Sequence, residues 1–143
     1  AAAKAAAAKA LASTTTTTTT VVAAAADTTV GGEIVDYAEQ YVGKVPYVLD
    51  GSSPSQGFDC SGLVMYVLAH FGITVPHDVD GIAALGTVIP ESEAVAGDMV
   101  VYPHQHIGIY IGNGMMVDAP VPGEDVKIQS VWGSPEYVRI PGA

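Results

Sequence analysis

At 143 residues the chain has room for one folded unit of ordinary size. Its composition breaks sharply near residue 30, so that unit is read as residues 31–143. The formal net charge is −10, and with Lys4 and Lys9 set against Asp27 in the first 30 residues, the remainder is more acidic than the whole. Such a surface repels a phosphate backbone. That excludes nucleic acid and favours neutral or cationic partners, besides aiding solubility.

Residues 1–30 open with AAAKAAAAKALA, a good helix-forming stretch too short to persist alone. The threonine run and VVAAAAD after it read as a low-complexity linker, disordered and without a catalytic role. Lys4 and Lys9 interrupt the alanines, so no membrane span is expected. The stretch before Ala23 also lacks the apolar core of a signal peptide. Opening on Ala1 rather than Met, the chain is expected to be a processed product or part of something longer.

From Gly31 the pattern becomes that of a folded domain. Ile34, Tyr37, Ala38, Tyr41 and Val42 recur at helical spacing, and Gly43 ends the run. A loop punctuated by Pro46, Gly51, Pro54 and Gly57 leads to Asp59, which sits where a helix N-cap belongs. Leu63, Val64, Val67, Leu68 and Phe71 then form an apolar stripe closed by Gly72. After a short helical stretch at Asp78 to Leu85, strands are expected at 99–102, 106–111, 115–119, 126–128 and 137–140. The connections between them are too short for crossover helices, so the sheet should be antiparallel in an α+β fold.

Cys60, the single cysteine, can be a buried small hydrophobe, a reactive thiol or an intermolecular link. Its place on the first turn of the second helix favours the reactive reading. Backbone N–H groups and the positive end of the helix dipole there stabilise a thiolate, the form that attacks carbonyl carbon. Ser61 and Gly62 keep the approach small, and nearby backbone donors can hold an oxyanion.

A base must lie within hydrogen-bond reach of the thiol. His70 is ten residues along the helix, about 15 Å away by the helical rise, and cannot reach it. His77 follows Pro76 in a loop, where a surface or substrate-facing role fits. His104 precedes the strand that His106 opens. Ile107, Ile109 and Ile111 form the aliphatic face of that strand, so His106 turns the other way, towards a helix or cleft. His104 and His106 as a metal pair lack further ligands at suitable spacing.

Asp118 in the next strand is the candidate to orient the imidazole. A two-residue Asn113-Gly114 turn would pair Gly112 with Met115 and set Asp118 opposite Ile109, on the wrong face. A three-residue loop, Gly112 to Gly114, pairs Ile111 with Met115 and sets Asp118 opposite Gly108, diagonal to His106. The second is therefore expected if Asp118 serves.

FDCSGLV at 58–64, GDMVVY at 97–102, HIGIYIGNG at 106–114 and DAP at 118–120 resemble, in order and spacing, the NlpC-type cell-wall cysteine peptidases, as does VPYVLDGSSP at 45–54. The resemblance covers essentially all of residues 31–143. It implies a circularly rearranged papain-like α+β domain with Cys60 as nucleophile, His106 as base and Tyr47 lining the cleft as the tyrosine of the family's Pro-Tyr loop. The implied substrate is a peptidoglycan stem peptide cut between D-isoglutamate and meso-diaminopimelate. No metal or organic cofactor is implied.

The third catalytic position, often His in the family, is Asp118 here, and a carboxylate can still orient and stabilise the imidazolium. Leu49-Asp50 replaces an aromatic followed by Gly, and His77-Asp78 replaces a basic residue followed by a small hydroxyl one. Substrate preference is therefore expected to differ more than mechanism. Tyr47, Asp50, Asp59, Ser61, Gly62 and His77 are the candidate substrate-binding residues, with Asp50 or Asp80 available to the ammonium of diaminopimelate. The expected setting is extracellular or at the cell wall, as a monomeric catalytic domain of a secreted enzyme or a phage tail component. A thiol amidase or acyltransferase of related fold, or a non-catalytic wall-binding module, is the alternative.

Overall fold

The computed structural model describes residues 29–143. The expected helix end and linker therefore lie, up to residue 28, outside the described residues. The chain divides into two compact units, Ala1–Glu33 and Ile34–Ala143. The described part of the first unit is the opening turn of helix α1 (Val30–Glu39), where the Thr29 hydroxyl accepts from the Gly32 N–H at 3.1 Å.

In the second unit α1 ends at Glu39, short of the expected Gly43. The periodic Tyr41 and Val42 stay packed on the core, but their N–H groups reach back only three residues, to Ala38 and Glu39. That tighter turn spends the last apolar pair of the pattern outside the helix.

The Pro- and Gly-rich segment that follows holds an unexpected two-stranded hairpin, β1 (Ser52–Ser53) and β2 (Gly57–Phe58). Strands this short carry no readable alternation. Next come α2 (Cys60–His70) and α3 (Val79–Ala84). Both are capped by the aspartate before them, Asp59 accepting from Gly62 N–H and Asp78 from Gly81 N–H.

The remaining strands are β3 (Thr87–Ile89), β4 (Met99–Tyr102), β5 (His106–Gly112), β6 (Met115–Asp118), β7 (Lys127–Ser130) and β8 (Glu136–Arg139). They form one sheet in the order β3-β8-β4-β5-β6-β7, with every neighbouring pair antiparallel. β3 was not expected; β7 and β8 lie within a residue or two of their expected places.

One face of the sheet, with Met99, Val101, Ile107, Ile109, Val117 and Val138, packs against Leu63, Val64, Val67 and Leu68 of α2. Each such side chain contributes about 1.5–3 kcal/mol by leaving water. The other face carries a smaller cluster of Val100, Tyr102, Tyr110, Met116 and Tyr137. Strand alternation puts His106 and Gly108 on this second face. Asp98 of the GDMVVY segment, 4% exposed, accepts both guanidinium N–H contacts of Arg139 at 2.9 Å and also accepts from Val95 N–H. A bidentate pair of this kind pins the last strand beside the start of β4.

The β5–β6 hairpin corrects the expected loop. Gly112 pairs with Met115, so the turn has two residues, Asn113 and Gly114, both at positive φ (55° and 74°) as a type I′ turn requires. The pairing then shifts between Tyr110 and Gly112, and Ile109 faces Val117. Ile111 is thus a bulge. That extra residue, rather than a longer loop, carries Asp118 across from Gly108, where an added Cβ would lie 3.2 Å from the Asp118 Cβ.

No described helix is long and apolar enough to cross a membrane. The start of α2 is held by a close approach of two backbones: a Cβ on Gly62 would run into the carbonyl oxygen of Gly51. Neither backbone can yield without disturbing the Asp59 cap. Gly62→Ala is therefore expected to destabilise the domain by about 1–3 kcal/mol, read as a lower urea midpoint at unchanged slope.

Candidate active site

Asp59 organises the nucleophile's end of the site. Its Oδ1 accepts from Gly62 N–H at 2.7 Å and lies 2.7 Å from His77 Nε2, while its Oδ2 accepts from Asp50 N–H at 3.1 Å. One nearly buried carboxylate thus caps α2, ties down the preceding loop and holds His77. Cys60 follows at the first helical position, partly exposed. Ser61 and Gly62 beneath it are buried.

His106 opens β5 and is 8% exposed. Its Nε2 lies 2.6 Å from Oδ2 of Asp118, which is fully buried, and Gln129 of β7 donates to the same oxygen at 2.8 Å. Burial opposes the charged ring, but the hydrogen bond to Asp118, with the neighbouring Cys60 and the charges of both, prevails and pushes the His106 pKa up to about 9. The second Asp118 oxygen is buried without a hydrogen-bond partner among the described residues. The paired oxygen therefore carries the compensation for the buried charge, and among the described residues His106 is its one titratable hydrogen-bond partner.

An aromatic wall flanks the imidazole. Trp132 stacks on Tyr102 with ring centres 3.7 Å apart and planes at 8°, and the His106 ring lies beside them, 5.9 Å from Tyr102 at a tilt of 31° and 6.2 Å from Trp132 at 23°. The Tyr102 hydroxyl donates to Trp132 C=O at 2.6 Å and accepts from Trp132 N–H at 3.0 Å. On the nucleophile's side stands Tyr47. Burial, with the charges of Cys60, Asp59 and Asp50 near it, raises its pKa above the ordinary phenolic value.

The chain matches the NlpC/P60 family model over residues 43–139. It belongs to the NlpC/P60 family. It is 43% identical over 86 residues to the peptidoglycan endopeptidase RipA of Mycobacterium tuberculosis, covering 58% of this chain and 18% of the relative. With the gamma-DL-glutamyl hydrolase of Bacillus subtilis it shares 41% identity over 93 residues, 60% of this chain and 22% of that one. The chain thus spans about a fifth of the length of these curated relatives. Among solved structures it resembles the NlpC/p60 domain of the peptidoglycan hydrolase SagA, with a TM-score of 0.64 at 41% identity over 76% of this chain and 96% of the other.

Within this NlpC/P60 domain the sequence-derived candidates separate. Cys60, His106 and Asp118 come together. Tyr47 and Asp50 lie on the Cys60 side with Asp59, and Asp59 also engages His77. His70 stacks on Tyr37 at 3.8 Å, at the far end of α2. Asp80, a candidate for a substrate ammonium, instead accepts from His104 N–H at 2.9 Å and pairs with its Nδ1 at 2.6 Å. His104 and His106 accordingly have different carboxylate partners, and no group of three or more metal-ligating side chains gathers among the described residues. Gln129, Tyr102 and Trp132 were missed in the sequence. The Val126 to Ile128 strand estimate stopped one residue short of Gln129, and no local pattern announces that Trp132 returns to the His106 edge.

The coupling of His106 to Asp118 has a definite pH signature. The folded pKa of about 9 exceeds the roughly 6.5 of a free imidazole, so its stabilisation is fully present below about pH 6.5 and is lost as pH rises through 9. By NMR, His106 should titrate near pH 9, and Asp118→Asn should lower that value. The stability gap between the two proteins in urea should narrow across this window; a gap independent of pH would contradict the coupling.

Proposed function

We propose that this NlpC/P60 domain is a thiol peptidase hydrolysing peptidoglycan stem peptides, with Cys60 as nucleophile, His106 as acid and base, and Asp118 as the group that orients and charges the imidazole. The observation that carries this is His106 buried between the Asp118 carboxylate and a cysteine on the first turn of a capped helix. A protonated His106 beside the sulfur favours the thiolate, as an ion pair does.

The chemistry follows from that arrangement. The Cys60 thiolate attacks the scissile carbonyl, forming a C–S bond and an oxyanion. Asp59 N–H donates to Gly51 C=O, Gly62 N–H to the Asp59 carboxylate and Leu63 N–H to Asp59 C=O. The N–H groups of Cys60 and Ser61 are then the first-turn donors available to the oxyanion. As the tetrahedral centre collapses, the C–N bond breaks and His106 gives its proton to the departing amine. Water, losing a proton to His106, then attacks the thioester; the C–S bond breaks, releasing the carboxyl product and restoring the thiolate.

The proposed bond is D-isoglutamyl to meso-diaminopimelate, supported by similarity to relatives named peptidoglycan endopeptidase and gamma-DL-glutamyl hydrolase. Tyr47 and Asp50 would border the substrate near the thiol. Such a substrate places the work at the cell wall, outside the cytoplasmic membrane. A non-catalytic wall-binding module would not require a buried carboxylate to charge a histidine beside a thiol.

Purified muropeptides incubated with the domain and read by mass spectrometry test both chemistry and bond. Cys60→Ala and His106→Ala should each reduce cleavage by at least about a thousandfold. Full activity in Cys60→Ala would sink the mechanism. Fragment masses from another linkage would retain the chemistry and discard the bond.

A further inference from the structure

Trp132 is 45% exposed in a chain that otherwise buries its rings beside His106. One indole face rests on Tyr102, and the Tyr102 hydroxyl holds the Trp132 backbone at both its N–H and its C=O. The ring is therefore fixed from below, with its remaining surface open at the edge of the imidazole. An exposed apolar ring held this rigidly offers a binding platform at little entropic cost.

The proposed mechanism decides which part of a substrate reaches it. A general acid must lie within about 3 Å of the leaving nitrogen, so the leaving-group half of the substrate passes over His106. The ring centre of Trp132 is 6.2 Å from that of His106. The leaving residue therefore passes within reach of the indole. Tyr47, by contrast, feels Cys60, Asp59 and Asp50 and belongs to the nucleophile's side.

We propose that Trp132 is the specificity platform of the leaving-group side and selects a long aliphatic side chain ending in an ammonium over a short neutral one. The reading rests on the proposed peptidase activity and deepens it. Methylene groups cover the indole face while the cation interacts with its π system.

Three substrates identical up to the scissile amide, releasing diaminopimelate, lysine or alanine, test this in wild type, Trp132→Ala and Trp132→Phe. Wild type should prefer the two diamino residues, and Trp132→Ala should shrink that preference in kcat/KM by roughly tenfold while Trp132→Phe keeps most of it. The kcat/KM pH profile should stay in place. Equal losses on all three substrates, or a displaced profile, would assign Trp132 to supporting Tyr102 and His106 and overturn the proposal.

Trp132 is also the chain's single tryptophan, which gives a readout independent of turnover. Titrating Cys60→Ala protein with free diaminopimelate, lysine or alanine should change its emission saturably for the first two but not for alanine. A flat response to all three, or the same response to each, overturns the platform. If wild type cleaves none of the substrates, the peptidase reading has failed, and the emission titration still judges the platform.

Discussion

A carboxylate removed from water must find compensating charge or hydrogen bonds, at a cost of several kcal/mol if it does not. Asp118 is fully buried, and its contacts fall on one oxygen, at 2.6 Å from His106 and 2.8 Å from Gln129. Gln129 can only donate a neutral N–H. The compensating positive charge therefore falls to His106, whose protonated form persists to about pH 9. Much else in the domain can be understood as the means of delivering that imidazolium to Cys60.

Delivery depends on two pieces of backbone geometry. The bulge at Ile111 slips the β5–β6 register by one residue, so that Asp118 shares a face with His106 instead of pointing into the aliphatic layer. Gly108 between them leaves the space that a side chain would take. At the other end, the three hydrogen-bonded contacts of Asp59 hold α2, Asp50 and His77 together and present the helix start. The two carboxylates do different work: Asp59 fixes where the sulfur stands, and Asp118 fixes the charge that meets it.

The parts readable from sequence were those with local periodicity or a local cap. The Leu63, Val64, Val67 and Leu68 stripe and the Asp59 cap defined α2 to within a residue, and the isoleucine alternation of β5 assigned His106 to its face. Asp118 was placed on the correct face for a mistaken reason. Asn113-Gly114 makes its preferred two-residue turn, and a bulge, which leaves no compositional trace at Ile111, supplies the missing step. β1, β2 and β3 are too short to show a period. Gln129 and Trp132 reach the site only because β7 joins the sheet beside β6 and the chain then passes back over Tyr102, contacts that follow from strand order and not from neighbouring residues.

The central claim is that Cys60, set beside the His106–Asp118 pair, forms a covalent acyl intermediate. Two stem-peptide substrates sharing the acyl half but differing in leaving group, cleaved in the presence of hydroxylamine, test it most directly. A common thioester predicts the same ratio of hydroxamate to hydrolysis product from both, because the leaving group has departed before the choice is made. A ratio that changes with the leaving group would mean that water and hydroxylamine attack the substrate itself, and would contradict the account.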